Sequence, residues 1–209
     1  MTMRGLIADF GGVLTLDFYE VLRKFARHEG LAEDALISEV SEDAIGRQLL
    51  ADVEAGVISQ RDFQVALAPR LGLEEEGLVA RICAPLEPDQ AMISATTRLH
   101  ESGVPCAILS NSWGTDPHDP YAAWQLEQNW DVVVYSHEVN LRKPSPEIYT
   151  LTAERLGVPP AHCVFIDDTA HNLAGAEEVG MTAIHHVNTG DTIVLLEDLF
   201  DIQLTDLHA

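Results

Sequence analysis

Apolar positions along this chain recur in two rhythms. Residues 4–9 (RGLIAD) are a short apolar run closed by Asp9, the pattern of a strand buried on both faces. From about residue 15 to residue 88 the spacing lengthens to that of helices. In DFYEVLRKFARHEG the apolar residues Phe18, Val21, Leu22 and Phe25 keep a helical period up to a stop at Gly30. SEDAIGRQLLADVEAG starts on Ser41 as an N-cap and ends at Gly56, and SQRDFQVALAPRLG repeats the design from Ser59 to Gly72. LEEEGLVARICA supplies a fourth helix. Four helices without a strand predict a compact all-helical insertion over residues 15–88.

From residue 89 helices and strands alternate. DQAMISATTRLHESG, YAAWQLEQN, SPEIYTLTAERLG and NLAGAEEVG read as helices, and VPCAILSNS, WDVVVYS, HCVFIDD and TAIHHV as strands. Apolar strands alternating with helices predict an α/β fold, a doubly wound parallel sheet covered on both faces, built from residues 1–14 and 89–209. Ligands of such sheets bind at the carboxyl ends of the strands, so the polar residues there are the ones to inspect.

Composition narrows the function classes. Twelve basic against 34 acidic residues give a net charge of −22, which argues against nucleic acid and against an anionic membrane surface as partners. An anionic substrate would be repelled at long range, so local positive features must bind it. No apolar stretch approaches the ~18 residues of a membrane span, and the apolar run in MTMRGLIADF is too short for a signal peptide. Cys83, Cys106 and Cys163 are odd in number and widely spaced among apolar neighbours. They read as reduced structural thiols of a cytoplasmic protein.

The strand ends, taken in order, hold the chemistry. The first delivers Asp9 with Gly11 and Gly12, and the second Ser110 and Asn111. Arg142 and Lys143 follow the third, before Pro144 and a helix start. The fourth ends in Asp167 and Asp168, with Asn172 shortly after. Singly, each has an ordinary explanation as a cap, a turn residue or a solvated charge. Two adjacent aspartates ending a buried strand are harder to dismiss, because they repel unless a cation or a donor offsets them. Together the set fits phosphoryl transfer. One carboxylate attacks phosphorus, magnesium neutralises the clustered charge, and a hydroxyl, backbone N–H groups and a lysine hold the phosphoryl oxygens.

These four motifs, in this order and with a helical insertion after the first, resemble the haloacid dehalogenase superfamily over essentially the whole chain. RKPSPEIY and FIDDTAHNLAGAEEVGMTAI are most similar to the branch holding bacterial sugar-phosphate phosphatases and the phosphatase domain of soluble epoxide hydrolases. The resemblance implies a small helical cap over the sheet and a magnesium-dependent phosphatase working through an aspartyl-phosphate. Its substrate would be a small phosphomonoester, a sugar phosphate among the options, and the protein a monomer or homodimer. Asp9 would be nucleophile and metal ligand, with Ser110 and Lys143 completing the catalytic set. Gly12 and Asn111 would help hold the phosphate. Asp168 would be a direct metal ligand, Asp167 would act nearby or through water, and the backbone carbonyl of Gly11 would also face the metal.

Gly11 departs from the pattern. Phosphatases of the family usually carry there a second aspartate that protonates the leaving group and later activates water. Its backbone carbonyl survives the replacement, and its acid–base side chain does not. Three readings follow: a phosphatase whose protons come from elsewhere, a metal-independent 2-haloacid dehalogenase, or a degenerate member that binds without turnover. The paired Asp167 and Asp168 argue against the dehalogenase, and the retained Ser110 and Lys143 against the degenerate member. Asp17, Asp116, His118 and Asp119 are the nearby candidates to replace the acid, and Trp113 is a candidate pocket residue. His28, His100, His162 and His208 lack metal-like spacing, and His185 and His186 after the last strand read as structural.

Overall fold

A computed structural model describes residues 4–205, so His208 lies outside the described residues. Five parallel strands form one sheet in the order β3-β2-β1-β4-β5. They are β1 (Gly5–Ala8), β2 (Cys106–Ser110), β3 (Val132–Tyr135), β4 (Cys163–Asp167) and β5 (Thr182–His185). Every side chain of β1, β2 and β4 is buried, as their unbroken apolar sequences require of strands covered on both faces. Alternate residues serve opposite layers. Leu6, Ala8, Val164 and Ile166 pack with Met92 and Leu99 of α6 (Gln90–Glu101) and Leu196 of α11 (Thr189–Phe200). Ile7, Ala107, Leu109 and Phe165 pack with Ile148 and Tyr149 of α9 (Pro146–Leu156) and Ala176 of α10 (Ala170–Glu178).

Over residues 15–88, five helices rather than the expected four are found among the described residues. They are α1 (Phe18–His28), α2 (Ala35–Ser41), α3 (Ala44–Glu54), α4 (Gln60–Leu71) and α5 (Leu78–Cys83). The added helix, α2, has seven residues and buries only Leu36 and Val40, too short a repeat to stand out as a helical period. It also takes Ser41, the expected N-cap of the next helix. Asp43 caps α3 instead, accepting the N–H groups of Ile45 and Gly46. Leu22, Phe25, Phe63, Leu67 and Ile82 centre a cluster separate from the sheet layers. The chain leaves and re-enters the sheet side by side: Leu16 N–H donates to the Glu87 carbonyl and Asp89 N–H to that of Leu14, both at 2.9 Å.

Two further helices lie outside the sequence expectation, α11 and the four-residue α8 (Ser136–Val139). The helix expected over 121–129 shrinks to α7 (Leu126–Asn129), because Pro120 to Gln125 turn instead, with Gln125 at φ 50°.

Candidate active site

The carboxyl ends of β1, β2 and β4 meet at a cavity of about 280 Å³ whose other walls come from the helices of residues 18–83. Asp9 follows β1 and is 8% exposed. Its Oδ1 accepts the N–H of Phe10 at 2.7 Å and lies 2.8 Å from Lys143 Nζ. Lys143 reaches the site from the loop after α8 and is buried almost completely. Its Nζ also donates to Asp167 Oδ2 at 2.6 Å. Burial opposes the ammonium charge, but Asp167 and Asp9 outweigh it and hold Lys143 above the usual lysine range. Burial pushes Asp9 well up, with Asp167 and Asp168 adding to the rise and Lys143 opposing it. One lysine thus faces three carboxylates.

The two aspartates ending β4 have different environments. Asp167 is fully buried and its oxygens are occupied: Oδ2 by Lys143, Oδ1 by the Thr169 N–H at 2.9 Å, and both by Asn172 Nδ2 at 2.9 and 3.1 Å. Asp168 accepts from the Thr169 hydroxyl at 3.2 Å, and burial followed by the Asp167 charge raises it to about 6. Oxygens of Asp9, Asp167 and Asp168 all lie within 4.8 Å of one another. An oxygen-only donor set with surplus negative charge suits a hard divalent cation such as magnesium. Gly12 makes the space. It sits at φ +72°, where only glycine is unstrained, and a Cβ there would come within 2.2 Å of Asp168 Oδ2.

Several expected residues line the cavity, though not all as anticipated. Asp9, Gly11, Ser110, Asn111, Trp113, Lys143 and Asp168 do so. Ser110 Oγ is 3.0 Å from the hydroxyl of Tyr121, a partner hidden from the sequence because its local pattern makes 121 a helix start. Asn111 spends its amide on the main chain of Lys143. Its Oδ1 accepts the Lys143 N–H at 2.9 Å, and its Nδ2 donates to the Lys143 carbonyl at 3.2 Å. His118 is not among the lining residues; its backbone N–H and carbonyl are both held by the Gln60 side chain at 2.9 Å. Asp116 and Asp119 do not line it either. Asp17 caps α1 by accepting the N–H groups of Tyr19 and Glu20.

Sequence reasoning gives no role to Glu54, Arg142 or His171, all of which line the cavity. Glu54 is buried at the end of α3 and pairs with Arg142 Nη2 at 2.7 Å and Nε at 2.8 Å, tying the helices to the loop before Lys143. Arg142 is visible as the neighbour of Lys143, but its partner lies 88 positions away, beyond any local pattern.

Comparison with known proteins agrees with this geometry. The family description "haloacid dehalogenase-like hydrolase" matches residues 3–180. The chain belongs to the haloacid dehalogenase-like hydrolases. It is 30% identical to bifunctional epoxide hydrolase 2 of Sus scrofa over 236 aligned positions, covering 100% of this chain and 41% of that protein. The chain therefore spans well under half the length of this relative. It is 27% identical to the sesquiterpene phosphatase astK of Aspergillus oryzae, over 70% of this chain and 76% of that one. Among solved structures, a variant of a Bacteroides thetaiotaomicron enzyme of the same family, in complex with magnesium and inorganic phosphate, superposes with a TM-score of 0.67. It has 22% identity and covers 87% of this chain and 93% of that one.

Proposed function

We propose that this hydrolase is a magnesium-dependent phosphatase of small phosphomonoesters that works through an aspartyl-phosphate on Asp9. The observation that carries this reading is the cluster of Asp9, Asp167 and Asp168 around buried Lys143. Asp9 is held through Oδ1, which leaves Oδ2 to form the bond to phosphorus while the bond from phosphorus to the alcohol oxygen breaks. Lys143 and the Ser110 hydroxyl balance the charge on the non-bridging oxygens. Water then attacks the phosphorus, the bond to Asp9 breaks, and inorganic phosphate leaves. Asp168, with few partners of its own, would be the direct metal ligand beside Asp9 and the Gly11 carbonyl, and Asp167, whose oxygens are occupied, would orient Lys143. Bound magnesium would offset the surplus negative charge.

Gly11 leaves the leaving-group oxygen without the usual carboxylic acid, so its proton would come from water or from a side chain lining the cavity, of which His171 is one. The helical unit of residues 15–88 would act as a cap over residues 1–14 and 89–209, in a cytoplasmic monomer or homodimer. Among the described residues no helix is long and apolar enough to cross a membrane. The test is phosphate release from an aryl phosphate in EDTA and after added Mg²⁺. Activity that depends on Mg²⁺ is expected. Activity indifferent to chelation, or chloride release from a 2-haloacid, would overturn the reading in favour of a dehalogenase.

A further inference from the structure

The alcohol half of the substrate has to lie against the wall that α1, α2, α3 and α5 build, and that wall is apolar. Next to the carboxylates stand two rings. Phe18 lies 3.7 Å from where a Cβ on Gly11 would be, and it meets Trp113 edge-on at 6.1 Å between centroids. Beyond them the lining is Leu22, Ile37, Val40, Leu50, Val79 and Leu86. The polar groups on this wall are already engaged. Glu54 is paired with Arg142, and the Ser41 hydroxyl donates to the Ile37 carbonyl at 2.7 Å. Burial raises the Cys83 thiol to about 12, so it stays neutral and behaves as a small apolar group. Among the described residues, half-exposed Tyr19 is the other polar side chain that these helices give the cavity.

A polyhydroxylated alcohol entering this space would give up its water and find almost no replacement partners. Each unpartnered hydroxyl would cost roughly tenfold in affinity. A hydrocarbon chain gains there instead. We infer that the substrate is the phosphate monoester of a hydrophobic alcohol, its phosphate at Asp9 and Lys143 and its chain along α1, α2, α3 and α5. This rests on the phosphatase reading and runs against the sugar phosphate that the sequence resemblance suggested.

The test compares n-alkyl phosphates from ethyl to octyl with glycerol 3-phosphate and glucose 6-phosphate, in Mg²⁺, using the whole protein. p-Nitrophenyl phosphate reports on the chemistry alone. kcat/KM is expected to rise about fourfold per methylene until the cavity is full, mostly through KM, since contacts remote from phosphorus bind ground and transition states alike. A flat response to chain length, or sugar phosphates equal to hexyl phosphate, would overturn the inference. If no ester is hydrolysed, the phosphatase reading fails, and calorimetry with n-alkylphosphonates still decides the cavity. Affinity that climbs with chain length upholds it, and affinity independent of length refutes it. Ile37→Trp should shorten the chain length at which the rise stops, with Leu50→Trp as the second variant should the first not fold. An unchanged response in a folded variant would place the chain elsewhere and overturn the assignment.

Discussion

Asp168 has the least compensation in the cluster, and that can be measured. Burial and the neighbouring Asp167 raise its pKa from 3.8 to about 6, against the more distant Lys143 charge and one hydroxyl donor from Thr169. Keeping this group ionised against that rise costs the folded, metal-free chain ~3 kcal/mol. The folded pKa lies above the unfolded one, so the folded state binds more protons between about pH 4 and pH 6. Stability from this group therefore falls as pH rises through that window, and above about pH 6 the penalty is complete. Asp168→Asn removes the charge at nearly constant shape. In EDTA at pH 7.5 the variant should gain up to ~3 kcal/mol, or ~6–12 °C in Tm for a chain of this size. At pH 4 the two proteins should melt together. Mg²⁺ should stabilise the wild type and leave the variant nearly unmoved, closing the gap. Thermal unfolding followed by circular dichroism at several pH values, with EDTA or Mg²⁺, reads all of this. A variant no more stable than wild type at pH 7.5 in EDTA, or equally stabilised at pH 4, would refute the charge argument.

Three further outcomes follow from the same geometry. Asp9→Asn should abolish turnover with the fold intact, and residual phosphatase activity above a few per cent would show that Asp9 is not the nucleophile. Gly11→Asp should raise turnover, most for alkyl phosphates with poor leaving groups and by up to the ~10²–10⁴ typical of general acid–base catalysis. Gly11 does not need a left-handed backbone, and a Cβ there would meet nothing closer than the Phe18 ring at 3.7 Å, so the loop can take the side chain. A folded Gly11→Asp protein with no gain on any ester would mean that another group already moves the proton. Gly12→Ala should lose Mg²⁺ activation, measured as phosphatase rate against Mg²⁺ concentration, because its Cβ displaces the Asp168 carboxylate and its backbone is strained. Wild-type Mg²⁺ dependence in that variant would separate Gly12 from the metal site.

The sequence by itself determined the sheet and its order of chemistry. Strands buried on both faces must be apolar throughout, so β1, β2 and β4 announce themselves, and the polar residues that end them are exposed by contrast. Asp9, Ser110 and Asp168 were legible for that reason, whereas Lys143 was read from the loop before Pro144 and the departure at Gly11 from the family resemblance. Short elements were not legible. Helix α2 offers too few turns for its period to show, and the end of α2 and the cap of α3 compete for the same Ser41–Asp43 stretch. Only the tertiary structure decided the partners. Asn111 turned out to clamp the main chain of Lys143, His118 lay outside the cavity, and Glu54 met Arg142 across 88 positions. The same holds for the apolar wall of the cavity. Leu22, Ile37, Leu50 and Val79 look in sequence like any other core residues of amphipathic helices. Whether an apolar side chain fills a core or faces a cavity depends on where its helix is packed, and that is set by contacts between segments far apart in the chain.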